Sequence, residues 1–381
     1  MPHLVFVATG PILARDGSLI APVKLVEGLQ AYAARFPGEL TLLGVPAQHA
    51  DADNLGVRST PLADLGFGCV VDADVPAALA RLRPDVALVD LSESCRPLLG
   101  IATATVAEVE HTGASRLAMA LAQPHSPVDR IRLEVGYRRL QRRLERLADT
   151  VDGLICNGAL AWQAFGSRAT PALRVYDNRV RAAWVEQAAA NRSARPRRPA
   201  DGGLRLGFSG RLVPIKGPEY AVRLVDDLLR RGIDARLHVL GDGPLAEALK
   251  GVSGPTVTWH GSLDFATAWP AFVQKHLDVM VLPHVQADPS GSYLESAGLG
   301  VPVLGFDNAQ LADLVGTAGL GWTVPMRDGA ALADRAASLA NDPGEIERAG
   351  AAGIAFVREH CFERDFDARV DFLVEQLRRQ R

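Results

Sequence analysis

Residues 204–217 read LRLGFSGRLVPIKG, and this stretch decides how the second half of the chain is interpreted. Its first six residues have the composition of a β-strand, and Gly210 then begins a turn rich in glycine and cations. A helical pattern follows from Pro218 to Arg231. Strand, turn and helix in this order predict one βα unit of a parallel sheet, with Arg211 and Lys216 just beyond the carboxyl end of the strand.

The same alternation runs through most of the chain. In the second half, further strands are predicted at 236–240, 257–260, 279–282, 301–306 and 321–324, with helical patterns between them. In the first half, strand-like runs at 4–8, 39–45, 86–89 and 103–109 alternate with helical patterns at 22–36 and 75–82. Such alternation predicts an α/β protein with two doubly wound, Rossmann-like domains that face each other across a cleft.

The boundary between the two predicted domains lies where this pattern breaks. Residues 187–203 are rich in Ala, Asn, Arg, Pro and Gly and show no periodicity, which is typical of an interdomain linker. We therefore predict an N-terminal domain at 1–186, this linker, a C-terminal domain at 204–355 and a helical segment at 356–381.

The composition excludes several classes of protein. A formal net charge of −3 argues against a nucleic-acid-binding protein, which normally carries a basic excess. The four cysteines are far apart, so neither a disulfide scaffold nor a cysteine-rich zinc site is expected. The first residues, MPHLVFVATG, enter a strand-like run without a basic leader, and no run reaches about 18 apolar residues. We expect a cytoplasmic protein.

The turn after the 204–209 strand carries two cations suited to an anionic ligand. Arg211 offers a planar guanidinium fork for phosphate oxygens, and Lys216 offers a mobile point charge. Only four of the chain's 41 basic residues are lysines, so the position of Lys216 at a strand end is informative. Two solvent-exposed cations on a loop are the alternative interpretation.

A second turn, Gly241-Asp242-Gly243-Pro244, follows the 236–240 strand. Paired glycines allow a sharp turn and a close approach of a ligand to the backbone. Together with Ala246 they also match the dinucleotide pattern G-x-G-x-x-A, which keeps an NAD(P)-dependent oxidoreductase open as an alternative. Asp264 is the acidic residue about 20 positions on, but it lies beyond the end of the next predicted strand, where a ribose contact is unusual.

A third strand end leads into the residues Ser290, Gly291, Ser292, Tyr293, Leu294 and Glu295. A loop of serine and glycine that feeds a helix offers backbone N–H groups to a diphosphate. Glu295 lies about one turn into that helix, where its carboxylate is placed to accept hydrogen bonds from ribose hydroxyl groups. A surface carboxylate stabilised by the helix dipole is the other interpretation of Glu295.

These turns, in this order, resemble those of a known family. The motifs Gly210-Arg211-x4-Lys216-Gly217, Leu240 to Pro244, Ser290 to Glu295 and Gly300-Val301-Pro302-Val303 are similar to those of retaining GT-B glycosyltransferases of the GT4 type, the glycosyl transferases group 1. The resemblance is strong from residue 204 to about 342. Before that, residues 107–112 resemble the family's acceptor-side histidine loop, and 176–180 resemble its asparagine-containing interdomain segment.

The resemblance implies roles for individual residues. Arg211 and Lys216 would bind the diphosphate of a nucleotide sugar. Glu295, as the second glutamate of an E-x7-E motif, would hold the ribose. His111 would contact the sugar near the reacting centre, on the acceptor side. In the resembled fold, the helical segment at 356–381 crosses back to the N-terminal domain.

This sequence departs from the family's motif at one position. The first glutamate of E-x7-E falls on Ala287, and Asp288, one residue on, is the candidate replacement in the catalytic site. The change leaves the phosphate site in place and bears on how the sugar ring is held. Gly17, in the turn that follows the first strand, is a candidate for close backbone approach on the acceptor side.

The implied chemistry has a physical rationale. Cleavage of the bond between the anomeric carbon and the phosphate oxygen leaves negative charge on the diphosphate, which fixed cations and helix N–H groups stabilise in a poorly hydrated site. No metal or other cofactor is then required. The D-x-D triplets at 51–53 and 72–74 lie in polar loops, and we interpret both as coincidental.

The sequence therefore predicts a retaining hexosyltransferase that moves a sugar from a nucleotide-diphosphate donor to a hydroxyl acceptor, with UDP favoured by family frequency alone. The acceptor belongs to glycan, glycolipid or natural-product biosynthesis. Two alternatives stay open. One is the NAD(P)-dependent oxidoreductase. The other is a family member that binds a nucleotide sugar without turning it over, which is considered because Ala287 stands where the motif has its first glutamate.

A predicted helix at 129–149 combines an apolar stripe with many arginines. The stripe consists of Leu133, Tyr137, Leu140, Leu144 and Leu147, and the other faces carry Arg130, Arg132, Arg138, Arg139, Arg142, Arg143 and Arg146. A solvated surface helix is one interpretation. Attraction to anionic lipid or to an anionic acceptor is the other, and it favours a lipid-linked or membrane-proximal acceptor and a peripheral position at the inner membrane surface.

Overall fold

The computed structural model describes residues 1–49, 56–121, 125–194, 203–286 and 289–380. The chain divides into two compact units. Unit 1 consists of Met1–Ala114, Ile131–Val175 and Glu363–Arg381, and unit 2 consists of Ser115–Arg130 and Tyr176–Phe362. Each unit is built on a parallel sheet, as the sequence predicts.

The described strands are β1 (His3–Val7), β2 (Leu13–Arg15), β3 (Ser18–Pro22), β4 (Glu39–Gly44), β5 (Val57–Pro61), β6 (Gly68–Val71), β7 (Val86–Asp90), β8 (Ala104–Val109), β9 (Gly153–Asn157), β10 (Ala172–Val175), β11 (Leu204–Ser209), β12 (Ala235–Leu240), β13 (Val257–Gly261), β14 (Val279–Leu282), β15 (Val303–Phe306) and β16 (Gly321–Val324). The described α-helices are α1 (Val23–Arg35), α2 (Val75–Leu82), α3 (Gly113–Leu121), α4 (Pro127–Ala148), α5 (Gly158–Phe165), α6 (Ala182–Ala194), α7 (Pro218–Arg230), α8 (Ala246–Val252), α9 (Ala268–His276), α10 (Gly291–Gly298), α11 (Ala309–Ala318), α12 (Gly329–Asn341), α13 (Pro343–Glu359) and α14 (Phe362–Arg379). None of these helices is long and apolar enough to cross a membrane.

Seven of the described strands form the parallel sheet of unit 1, in the order β10-β9-β8-β7-β1-β4-β6. Side chains alternate between the two faces of a strand, and on β8 Ala107 and Val109 face a core formed with α2, α4 and α5. Glu108 of β8 points to the opposite face. The central strands β7 and β8 are almost wholly buried, which is why they read as continuous apolar runs.

A buried charged cluster joins α14 to the sheet of unit 1. Arg369 Nε donates to Asp365 Oδ2 on the same helix at 2.6 Å, and Arg369 Nη1 donates to Glu108 Oε1 at 2.6 Å. Beside it, Phe366 packs edge-on against Tyr32 of α1 with 4.9 Å between the ring centroids. Burial raises the pKa of the Tyr32 hydroxyl. These contacts fix α14 on β8, the strand that leads to His111.

A small antiparallel sheet with the order β2-β3-β5 follows β1, and the sequence analysis does not predict it. The turn between β2 and β3 is Asp16-Gly17, with φ angles of 50° and 72°. A two-residue turn with positive φ at both positions is a type I′ hairpin, for which Asp-Gly is a preferred sequence. A Cβ at Gly17 would meet no described atom within 4 Å, so within the described chain the turn geometry alone requires this glycine, and its close approach on the acceptor side stays a prediction.

Six of the described strands form the parallel sheet of unit 2, in the order β13-β12-β11-β14-β15-β16. One face packs on α7, α8 and α12, and the other packs on α6, α9, α10, α11 and α13. β11 lies between β12 and β14. The loops that follow these three strands are therefore neighbours at the carboxyl edge of the sheet, where α/β sheets bind ligands.

The structure differs from the predicted linker at 187–203. α6 continues to Ala194, Ala188 is buried, and Arg358 Nε of α13 donates to Glu186 Oε1 at 2.6 Å. Residues 188–190 are three alanines, which favour a helix, and residues 195–202 lie outside the described residues. Residues 176–186 accordingly belong to unit 2. The predicted boundary at 356 likewise falls inside α13, and the last helix begins at Phe362.

Three histidines cluster at one edge of the unit 2 sheet. His238 Nδ1 of β12 lies 3.0 Å from His260 Nε2 of β13, and the ring of His276 lies 6.4 Å from that of His238. Burial, followed by the charges of the neighbouring histidines and of Arg205 and Arg236, lowers the pKa of His238 to about 4. Burial also lowers the pKa of His260 and that of His276, so the neutral form predominates in the cluster at pH 7.

Stability is expected to fall as the pH is lowered from about 6.5 toward 4. The pKa of His238 is lower in the folded chain than its ordinary 6.5, so the unfolded chain binds the proton first and is favoured in this range. The melting temperature measured between pH 7.5 and 4.5 should drop less steeply for His238→Gln than for the wild type. The exposed His49 offers a control, and His49→Gln should keep the wild-type slope. Identical slopes for wild type and His238→Gln would contradict this assignment.

Candidate functional site

The loops that follow β11 and β12 pack directly against each other. The N–H of Leu212 donates to the carbonyl of Asp242 at 2.9 Å. A Cβ at Gly241 would lie 2.0 Å from the carbonyl oxygen of Gly210, and one at Gly243 would lie 2.7 Å from that of Leu212. The contact between the loops therefore requires both glycines. This contact explains the match to G-x-G-x-x-A without a dinucleotide.

Lys216 is buried at this edge of the sheet, whereas Arg211 is exposed. Lys216 ends a short 3-10 turn, Pro214–Lys216, and is only 9% exposed. Its Nζ lies 3.4 Å from the Oγ of Ser290. A buried ammonium group acts more strongly on a nearby anion than an exposed one, because less water screens it. The structure thus brings together two residues that the sequence analysis selects for the donor site.

The amino end of α10 lies next to Lys216. Ser290 precedes the helix and is 9% exposed, while Gly291 and Ser292 are partly exposed. A Cβ at Gly291 would lie 3.2 Å from Glu295 Oε1, so the carboxylate of Glu295 lies over the first turn of its own helix. The N–H groups of a first helical turn carry positive potential and favour an anion.

Two residues of the predicted donor loop are core residues. Tyr293 and Leu294 are 0% and 2% exposed and belong to the core formed with α11 and α13. Asn308 Nδ2, at the start of α11, donates to Tyr293 Oη at 3.0 Å. Their side chains therefore pack in the core of unit 2, since helical periodicity turns these two positions inward while 291, 292 and 295 stay accessible.

His284, which the sequence analysis does not select, lies beside Lys216. It follows β14, is 1% exposed, and its ring lies 5.0 Å from that of Tyr293. Burial, and then the charge of Lys216, hold the pKa of His284 well below its usual range, so the imidazole is neutral. A polar residue directly after the apolar run 279–283 is the sequence signal that points to it.

The remaining predicted residues lie elsewhere. Asp288, like Ala287, lies outside the described residues. His111 is partly buried in unit 1, just beyond the carboxyl end of β8. Of the D-x-D triplets, 51–53 is also outside the described residues, while Asp74 caps α2 and Asp72 pairs with Arg81. Asp72 and Asp74 therefore have structural roles.

The arrangement in unit 2 is suited to a diphosphate. It combines a buried lysine, an exposed arginine on the same loop and a helix amino end at the carboxyl ends of adjacent parallel strands. These groups stabilise negative charge without having to reorganise when that charge develops.

Comparison with known proteins identifies relatives of this chain. A model of the family described as glycosyl transferases group 1 matches residues 203–342, which include the loops described above. The chain is 30% identical over 297 residues to 2-deoxystreptamine glucosyltransferase of Streptomyces kanamyceticus, covering 72% of this chain and 76% of that protein. It is 28% identical over 193 residues to the putative colanic acid biosynthesis glycosyltransferase WcaL of Escherichia coli K12, covering 47% of this chain and 45% of that protein.

Several solved structures share the fold over nearly the whole chain. Anabaena Alr3699/HepE, in complex with UDP, matches 98% of this chain and 100% of its own, with a TM-score of 0.61 and 14% identity. Sucrose-phosphate synthase of Thermosynechococcus elongatus matches 100% of both chains, with a TM-score of 0.65 and 15% identity. WaaG, a glycosyltransferase involved in lipopolysaccharide biosynthesis, matches 97% of this chain and 99% of its own, with a TM-score of 0.61 and 14% identity.

Proposed function

This chain belongs to the group 1 glycosyltransferases and has their two-domain GT-B fold, and from that premise we propose that it transfers a hexose from a UDP-sugar to a hydroxyl group of its acceptor with retention of anomeric configuration. The observation that carries the proposal is the buried Lys216, whose Nζ lies 3.4 Å from Ser290 at the amino end of α10. A buried cation and a helix amino end that converge at the edge of a parallel sheet are what a diphosphate needs.

The choice of donor is supported by the relatives. The Anabaena protein is described in complex with UDP and with UDP-glucose, and the Streptomyces relative is described as a glucosyltransferase. We propose that Glu295 binds the ribose, because its carboxylate lies over the first turn of α10 beside Gly291.

In the proposed reaction, the bond between the anomeric carbon and the UDP oxygen breaks, the acceptor oxygen forms the new bond, and the proton of the acceptor hydroxyl group passes to a phosphate oxygen of the leaving UDP. Lys216, Arg211 and the N–H groups of α10 stabilise the charge that collects on the leaving diphosphate. These protein charges perform that role without a divalent ion. We assign His111 to the acceptor side, next to the reacting carbon, and Asp288 to the sugar.

A thermal-shift panel of UDP, GDP, dTDP, ADP, NAD and NADP tests the proposed donor. A ligand at 100 times its dissociation constant stabilises the chain by about 2.7 kcal/mol, which moves the melting temperature by degrees. We expect the largest shift with UDP. A shift with NAD or NADP alone would overturn the proposal in favour of an oxidoreductase.

We further propose that the protein works at a membrane surface on a hydroxylated acceptor. Ile131 and Val135 of α4 are 63% and 40% exposed, and Arg132, Arg138, Arg139 and Arg142 on the same helix are exposed. Apolar and basic residues together on an exposed helix suit the interface of an anionic bilayer. Because the Streptomyces relative is a 2-deoxystreptamine glucosyltransferase, a small aminocyclitol is an acceptor to test beside lipid-linked ones.

Replacing Arg132, Arg138, Arg139 and Arg142 with glutamine should weaken binding to vesicles containing anionic phosphatidylglycerol by about 100- to 1,000-fold, since each basic residue near such a surface contributes about 1 kcal/mol. Co-sedimentation measures the change. Vesicles of neutral phosphatidylcholine are the control and should bind wild type and variant alike. Unchanged binding of the variant to anionic vesicles would contradict the proposal that these arginines bind a membrane surface.

A further inference from the structure

Two buried side chains beside the candidate diphosphate site hold polar atoms that no described residue satisfies. Among the residues that the structure describes, neither Nδ1 nor Nε2 of His284 has a hydrogen-bond partner, and neither does Oε1 of Gln286. These residues are 1% and 2% exposed. A buried polar atom left unpaired costs about 1–3 kcal/mol of stability. An imidazole with both nitrogens unpaired therefore destabilises the ligand-free fold.

His284, with its unpaired nitrogens, lies next to the candidate diphosphate site. His284 follows β14, and Lys216 follows the adjacent strand β11. The N–H of Val285 donates to the carbonyl of Ile215 at 3.1 Å, so the two loops are tied together. His284 therefore belongs to the carboxyl edge of the sheet, where Lys216 and Ser290 meet.

The chemistry of a neutral imidazole selects the class of ligand. One ring nitrogen carries a hydrogen and donates, and the other accepts. The second nitrogen, like the amide oxygen of Gln286, is satisfied only by a ligand that itself donates a hydrogen bond. An ionised phosphate group has no hydrogen to donate, whereas a sugar hydroxyl group both donates and accepts.

We propose that His284 binds a hydroxyl group of the donor's sugar, and that it determines which sugar the protein accepts. The inference rests on the proposed function and names a residue of the same site. Both ring nitrogens are covered in the ligand-free chain, so the atoms that cover them must shift when the sugar enters. Gln286, two residues on, offers its amide oxygen to a second hydroxyl group.

Calorimetric titration with UDP and with UDP-glucose tests the proposal, because only the second ligand carries the sugar. His284→Leu should raise the dissociation constant for UDP-glucose by about tenfold, the effect of losing roughly 1.4 kcal/mol of hydrogen bonding. The dissociation constant for UDP should change by less than about twofold, since no contact to the nucleotide is removed. His284→Asn keeps one donor and one acceptor and should restore most of the affinity for UDP-glucose.

The melting temperature of the ligand-free protein provides the second readout. Leucine removes two unpaired nitrogens from the interior, so His284→Leu should melt at the wild-type temperature or above it. A lower melting temperature together with equal losses for UDP and UDP-glucose would mean a structural role and would overturn the proposal. Unchanged binding of both ligands would overturn it as well. If the wild type binds neither ligand, the proposed function fails and this inference fails with it.

Discussion

Lys216→Met is expected to lower kcat/KM with UDP-glucose by about 100- to 1,000-fold, the loss that follows removal of one fixed donor to a developing negative charge. The buried Nζ of Lys216 lies 3.4 Å from Ser290, where little water can take over its role. Methionine keeps most of the aliphatic stem and removes the charge. Steady-state rates of UDP release measure the effect.

Lys250 offers a matched control for this variant. It is paired with Glu247 on α8, and its side chain is 47% exposed. Lys250→Met should leave turnover within about twofold of wild type, because its ammonium group is exposed and paired with Glu247, and exposed pairs contribute at most about 1 kcal/mol. Near-normal turnover in Lys216→Met, with its melting temperature unchanged, would contradict the proposed role of Lys216 in stabilising the leaving diphosphate.

Arg369→Leu is expected to lower the free energy of unfolding by about 3–5 kcal/mol, because it leaves the buried carboxylate of Asp365 and the partly buried carboxylate of Glu108 without a counter-charge. The guanidinium group is 4% exposed and bonds both Asp365 of its own helix and Glu108 of β8. Loss of the pair would also loosen β8, the strand from which His111 follows. Denaturant unfolding measures the change in free energy.

Two companion variants separate charge from packing in this cluster. Arg379→Ala on the same helix breaks an exposed pair with Glu375 and should change stability by less than about 1 kcal/mol. Arg369→Leu combined with Asp365→Leu should recover part of the loss, because one stranded carboxylate is removed with the arginine. A double variant no more stable than Arg369→Leu would contradict the electrostatic explanation.

Much of the fold follows from local pattern. Buried parallel strands such as β7 and β14 are short apolar runs between turns, so their sequence identifies them. The hairpin at Asp16-Gly17 was readable from its turn sequence, although its flanking strands are too short and polar to stand out. The sequence does not predict the end of α6, because its alanines are followed by arginines and prolines that are typical of a linker.

The site was only partly predictable, for a physical reason. Lys216 and Ser290 stand out because lysine is rare in this chain and because each residue lies in a loop that follows a predicted strand. Tyr293 and Leu294 belong to the same motif but point inward, and motif matching does not separate the two faces of a short helix. His284 depends on burial and on unpaired atoms, which only the three-dimensional structure reveals.

The most direct test of the account is a reaction of the wild-type protein with UDP-glucose and a panel of hydroxylated acceptors, including 2-deoxystreptamine and lipid-linked sugars, followed by NMR. We expect UDP to be released in step with one glycoside, whose anomeric proton shows the α configuration of the donor. A β-glycoside would contradict retention. Binding of UDP-glucose with neither transfer nor hydrolysis would contradict the central claim and identify a protein that holds the nucleotide sugar without using it.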